Sequence, residues 1–226
     1  MRARSAAIAR GDRRTPGAGA RTIDRPAETG NMPRREREKR LATWDVEQHV
    51  HSAGQTGWPD RIHAVFRRHA VRQVGYVPDT GHARLIELCI KDNEIKDVVL
   101  ASEAEGPGLV LGAALGGERA ALLMQSSGVG NCVNTFSILR SCAIPCVLLV
   151  TMRGEFNDFN PWQVPMGSIA EPVLRQCGFQ TCRIERAEDV EPVVESACRM
   201  AFGGGNLQVA VLLSQRMTER TKPEGH

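Results

Sequence analysis

The 226-residue chain has no run of about 18 apolar residues, so no segment is long enough to cross a bilayer as a helix. Its N-terminus lacks the apolar core of a secretory signal, and the expected location is cytoplasmic. No two of the seven cysteines form a CxxC pair, and an odd number cannot all pair within one chain. Most of them sit in apolar runs, as Cys146 does in PCVLLV, and they read as buried, reduced thiols. The glycine turn at Gln125-Ser126-Ser127-Gly128-Val129-Gly130-Asn131 does not satisfy GxGxxG and lacks the Lys-Ser/Thr of a P-loop. His49 and His51 are two residues apart, so they would not share a helix face, and too few further ligands lie nearby for a metal site.

The charge that is present is uneven. Residues 1–40 hold 12 Lys and Arg against 5 Asp and Glu, whereas the remainder holds 17 basic against 21 acidic residues. The basic character belongs to the tail, and the rest of the chain offers no electrostatic footprint for nucleic acid. Residues 1–42 are rich in Arg, Gly, Ala and Pro without apolar periodicity, and they read as a disordered basic tail. A nucleic-acid-binding arm, a transit peptide and a translation start at Met32 are the alternatives for this tail. Residues 43–226 form one domain.

From Asp60 onward the pattern is regular. Asp60 is placed to cap a helix carrying Ile62, Val65 and Phe66. Strands are expected at Gly75–Asp79, Asp97–Leu100, Ala120–Met124, Cys146–Val150, Phe179–Ile184 and Gln208–Leu213. Helices are expected at about 82–91, from Pro107, at 131–143, at Gly167–Cys177 and at Glu188–Phe202, with a long aromatic loop from Arg153 to Pro165. This alternation predicts an α/β fold: a three-layer, doubly wound domain around a mainly parallel six-stranded sheet covered on both faces. Ligands of such sheets bind beyond the carboxyl ends of the strands. Asp79, Glu105, the 125–131 turn and the Arg153 loop all fall on or just past those ends.

The stretch from Ala101 to Asn131 organises the rest. It opens on Glu103 and Glu105, continues into a small-residue segment with Gly106, Gly108, Gly112, Gly116 and Gly117, and passes through an apolar strand to the 125–131 turn. Small residues of poor helix propensity suit a helix packed close to another backbone or to a flat ligand. Taken alone, the two glutamates could simply favour a helix start, and the glycine turn could cradle a phosphate or merely join strand to helix.

Glu105-Gly106 followed about twenty residues later by Gln125 to Asn131 resembles the pyrimidine-binding (PYR) domain of thiamine diphosphate-dependent 2-oxo acid decarboxylases. The likeness is to the alpha subunit of sulfopyruvate decarboxylase and the matching half of phosphonopyruvate decarboxylase, and it runs from about Asp60 to Ser214. The resemblance implies that a glutamate at the helix head hydrogen-bonds the cofactor's pyrimidine ring and activates it. That role falls to Glu105, with Glu103 as the rival; the glycine after Glu105 favours it. Gln125, Ser126, Ser127, Gly128 and Asn131 would line the cofactor and substrate pocket.

The resemblance further implies that Asp79, in Val77-Pro78-Asp79, serves proton transfer after carbon dioxide leaves, with His82 a weaker candidate for that task or a substrate contact. Arg153 could hold a sulfonate, phosphonate or carboxylate, and Gln163 would face substrate. The family's Gly-Asp-Gly segment, which holds the diphosphate and Mg2+, does not occur. The resemblance therefore implies a half-site whose diphosphate-binding (PP) domain comes from a beta subunit in a hetero-oligomer, with no metal ligands on this chain. The alternatives are a non-catalytic PYR-like binding or regulatory subunit, or half of a carboligating enzyme similar to acetolactate synthase.

Overall fold

The computed structural model describes residues 57–218. The basic tail, the stretch with His49 and His51, and residues 219–226 lie outside the described residues. In chain order the elements are α1 (Trp58–Arg68), β1 (Val71–Tyr76), α2 (Ala83–Lys91), β2 (Lys96–Val99), a 3-10 turn (Glu103–Glu105) and α3 (Gly106–Leu115). They continue as β3 (Arg119–Gln125), α4 (Ser126–Cys132), α5 (Phe136–Ser141), β4 (Cys146–Thr151) and α6 (Gln163–Gln176). The last are β5 (Gln180–Ile184), a 3-10 turn (Ala187–Asp189), α7 (Val190–Phe202), β6 (Gln208–Leu213) and α8 (Gln215–Thr218).

The six strands pair in the order β2-β1-β3-β4-β6-β5, and every pairing is parallel. The apolar runs of β3, β4 and β6 are long because both of their faces are covered. Alternate residues divide between two cores. Ala121, Leu123, Val147, Leu149, Val209 and Val211 pack with side chains of α1, α2 and α7. Ala120, Leu122, Met124, Leu148, Val150, Ala210 and Leu212 pack with α3, α4, α5 and α6 on the other face. The three layers expected from the alternation of elements are present.

The chain leaves β1 toward β2 on one side and later leaves β3 toward β4 on the other, so the winding reverses between the neighbours β1 and β3. In such sheets the crevice at that reversal, beyond the strands' carboxyl ends, is where ligands bind. Here Asp79, just past β1, and Gln125, the last residue of β3, meet at its floor.

Several boundaries differ from the sequence expectation, each for a local reason. The first strand is Val71–Tyr76, because Arg72 and Gln73 interrupt the apolar signal where the β1–β3 register shifts. Helix α1 begins at Trp58 after Gly57, with Pro59 accommodated in its first turn. Asp60 therefore does not cap it but pairs with Arg84 at 2.9 Å. The glycine turn is helical from Ser126 and breaks before α5. Poor helix propensity is overridden there by packing of α4 against α6 and the 103–105 turn. Helix α6 starts at Gln163, four residues early, with Pro165 in its first turn.

Candidate active site at the carboxyl rim of the sheet

Asp79 is the hub of the crevice. Its carboxylate is 7% exposed and accepts four hydrogen bonds. Oδ1 accepts from Gly81 N at 3.2 Å and from Gln125 Nε2. Oδ2 accepts from His82 Nδ1 at 3.1 Å and Thr151 Oγ1 at 2.9 Å. Burial alone would raise its pKa, but the hydrogen bond and charge of His82, with Gln125 and Thr151, bring it down to about 2. The result is an anion with all of its roughly four lone-pair directions taken.

His82, just before α2, is fully buried, and its Nε2 has no hydrogen-bond partner among the described residues. Gly81 is required beside it, since a Cβ there would lie 2.8 Å from Thr151 Cγ2. Thr151, the polar residue that closes the apolar β4 run, is a member of this cluster that sequence reasoning passed over. A polar residue at the carboxyl end of a buried strand is the signal that would have found it.

The two glutamates diverge. Glu105 is exposed, and its Oε2 accepts from the backbone N–H of Ala101 at 3.0 Å, closing the turn from which it projects. Glu103 is half-buried and lies across α4. Its Oε2 accepts from Asn131 Nδ2 at 2.9 Å, and a Cβ on Gly128 would approach its side chain to 2.7–2.9 Å. The structure thus joins Glu103, rather than Glu105, to Gly128 and Asn131.

The remaining turn residues have separate places. Ser127 Oγ donates to Gln125 Oε1 at 3.4 Å. Ser126 is buried, and its Oγ accepts from the backbone N–H of Arg153 at 3.1 Å, so it braces the loop.

That loop is ordered from within. Asp158 accepts from Arg153 Nε at 2.7 Å and Nη2 at 2.8 Å, from the N–H groups of Gly154 (2.8 Å) and Asn160 (3.0 Å), and from Gln215 Nε2 at 3.0 Å. The Arg153 hydrogen bonds, more than any other contact, hold Asp158 well below the usual carboxylate range. Gln215 Oε1 in turn accepts from the N–H groups of Glu155 and Phe156 at 2.9 and 3.1 Å. Neither Asp158 nor Gln215 was singled out in the sequence, and Gln215 carries no local signal because it arrives from the far end of the chain. Arg153, the expected anion binder, spends its planar fork on Asp158, and its guanidinium carbon stands 5.5 Å from the Phe159 ring centre. Gln163 is half-buried at the first position of α6, and its N–H donates to Asn160 O at 2.9 Å. Phe159 and Trp162 are 83% and 70% exposed on the same rim.

No protein-family profile matches the chain. It is 32% identical over 122 residues to the sulfopyruvate decarboxylase subunit alpha of Methanocaldococcus jannaschii, covering 54% of this chain and 72% of that subunit. With the subunit alpha of Methanothermobacter thermautotrophicus it shares 34% identity over 142 residues, 61% of this chain and 83% of the relative. This chain belongs to the family of sulfopyruvate decarboxylase alpha subunits. A phosphonopyruvate decarboxylase of Streptomyces viridochromogenes is 30% identical over 64% of this chain, but the match spans only 37% of that longer protein. Among solved structures, a 2-oxoglutarate:ferredoxin oxidoreductase of Magnetococcus marinus superposes with a TM-score of 0.57 at 13% identity. It covers 74% of this chain and 31% of that one, a likeness of fold. Among the described residues no helix is long and apolar enough to cross a membrane, and no three His, Cys, Asp or Glu side chains group as a metal site.

Proposed function

We propose that this chain is the pyrimidine-side half of a thiamine diphosphate-dependent decarboxylase acting on an acidic 2-oxo acid of the sulfopyruvate or phosphonopyruvate type. The observation that carries this reading is the seat of Glu103 on Gly128 and Asn131 beside the Asp79–Gln125 crevice. A carboxylate at the head of a small-residue helix, facing a helix stripped of side chain at Gly128, suits one edge of a flat, nitrogen-bearing ring. The residues present therefore fit the aminopyrimidine half of the cofactor. They do not fit its diphosphate and Mg2+, which we assign to a partner subunit. The alpha-subunit names of the relatives and the greater length of the phosphonopyruvate decarboxylase support that division.

When bound, the cofactor supplies the carbon nucleophile and electron sink that let a 2-oxo acid lose carbon dioxide. This chain's part is to bind and to orient. Glu103 would accept a hydrogen bond from a pyrimidine ring nitrogen and so favour its protonated form; Glu105, folded back on Ala101, shapes the turn that presents it. Asn131 holds the second carboxylate oxygen of Glu103, fixing its plane. Asp79, anionic and fully bonded, is an anchor and not the acid that returns a proton. The Arg153 loop walls the substrate side: Arg153 contributes positive field to a bound anion while Asp158 keeps its geometry fixed, and Gln163 adds a polar group beside it.

Calorimetry with thiamine diphosphate and Mg2+ tests this reading, using the chain alone and together with its co-expressed partner. Carbon dioxide release from sulfopyruvate and phosphonopyruvate is followed in parallel. Cofactor binding and turnover that need both subunits are expected. A complex that neither binds the cofactor nor decarboxylates any acidic 2-oxo acid would leave a binding or regulatory subunit in its place.

A further inference from the structure

We propose that His82, Asp79 and Thr151 form a buried clamp that fixes the amide of Gln125 with its carbonyl oxygen turned to the ligand, so that position 125 receives a hydrogen-bond donor and not an anion. This rests on the reading above that Gln125 lines the ligand pocket. An ionised carboxylate only accepts hydrogen bonds. Whatever meets Asp79 Oδ1 must therefore donate, and Gln125 can do so only through Nε2. Its Oε1 is thereby turned away from Asp79, toward the hydroxyl of Ser127 at 3.4 Å. The orientation of the amide follows from the chemistry of its neighbour.

The same rule fixes the histidine. His82 Nδ1 faces Asp79 Oδ2 and must carry a hydrogen, which leaves Nε2 as the nitrogen without a partner among the described residues, in a fully buried ring. A buried unpaired nitrogen is unfavourable by itself. It is retained here because the other ring nitrogen, with Thr151 Oγ1 at 2.9 Å from the same carboxylate oxygen, locks Asp79 in the rotamer that grips Gln125. Gly81 permits the arrangement, since a side chain there would strike Thr151. All three are positioning residues that act on ligand through Gln125. The group they select carries an N–H or O–H, such as an exocyclic amine or a hydroxyl.

The test has two arms. In the full-length chain, 15N NMR of the His82 ring should show a protonated Nδ1, and the Gln125 side-chain amide should exchange slowly. A His82 tautomer protonated on Nε2 alone would overturn the clamp whether or not cofactor binds. In the complex with the partner subunit, thiamine diphosphate binding is measured by calorimetry for Gln125→Glu, Asp79→Asn and the double variant, with thermal stability followed alongside. Gln125→Glu sets two carboxylates face to face and should weaken binding at least tenfold. The double variant restores a donor at 79 and still presents an oxygen at 125, so binding should return to within about threefold of wild type. If the double variant folds but binds no better than Gln125→Glu, position 125 donates to its ligand and the proposal fails. A wild-type complex that does not bind the cofactor at all, with the NMR pattern intact, would instead remove the functional reading and leave the clamp.

Discussion

Gly128 lies directly against the side chain of Glu103: a methyl group on its Cα would sit 2.7 Å from Glu103 Cγ and 2.9 Å from its carboxyl carbon and Oε1. Helix α4 thus has a bare face where the glutamate rests, and one turn on, Asn131 donates to the same carboxylate. Gly130, on the same short helix, meets Met166 of α6 in a similar way. The glycines of the 125–131 segment therefore set how closely α4 approaches its two neighbours.

Gly128→Ala should displace Glu103 and push α4 outward. Overpacking of this kind destabilises by about 1–3 kcal/mol, which urea denaturation would measure. Cofactor affinity of the complex should fall together with stability, whereas Gly108→Ala, on α3 with open space around its Cα, should leave affinity unchanged and not lower stability.

The proposed function gives the two glutamates different roles. Glu103→Gln should reduce decarboxylation by the reconstituted enzyme by roughly two orders of magnitude, the scale of losing a positioned proton-transfer group. Glu105→Gln, which still leaves an acceptor for Ala101 N–H, should stay within a few-fold of wild type. Steady-state rates of the two variants with the same partner decide between them, and a larger loss in Glu105→Gln would return the role to that residue.

Asp79 predicts an acid limb in the stability curve. Its folded pKa, about 2, lies below the unfolded value of 3.8. It therefore stabilises the fold above pH 4, and that share disappears as pH falls from about 4 through about 2. The contribution is roughly 2 kcal/mol. Urea denaturation across that range should show wild type losing stability more steeply than Asp79→Asn, which is less stable at neutral pH but flatter in acid.

Asp158→Ala removes the acceptor of five hydrogen bonds, two of them from the Arg153 guanidinium, in a half-buried loop. Breaking such a pair destabilises by about 3 kcal/mol. Limited proteolysis should cut between residues 153 and 160 much faster than in wild type. Asp158→Asn, which keeps an accepting oxygen, should fall between the two.

Thiol reactivity reports the layers. Burial pushes the thiols of Cys132, Cys146 and Cys198 up to about 12 and raises that of Cys89 further, so they are protonated and enclosed. Cys142 is exposed. At pH 8 a thiol reagent should label Cys142 first, as read by mass spectrometry, and the four buried cysteines only after denaturation. Fast labelling of native Cys146 would contradict the placement of β4 in the middle of the sheet.

The sequence by itself determined the class of fold, because strands buried on both faces must be written as continuous apolar runs. Ala120–Met124, Cys146–Val150 and Gln208–Leu213 say so without further help. It also placed Asp79, Gln125 and the Arg153 loop at carboxyl ends of strands, since local order alone fixes which end of a strand a following residue occupies. It carried the family likeness through Glu105-Gly106 and the 125–131 segment. Only the tertiary structure decided which glutamate meets α4, because two residues apart in sequence are turned to different sides by one 3-10 turn. Only the structure joined Asp79 to Thr151, 72 residues away and across β3, and Asp158 to Gln215, 57 residues away, through a strand order that the chain order does not reveal. The helical state of Ser126–Cys132 was likewise decided by packing, since its glycines and serines favour a turn until α6 and the Glu103 turn close around them.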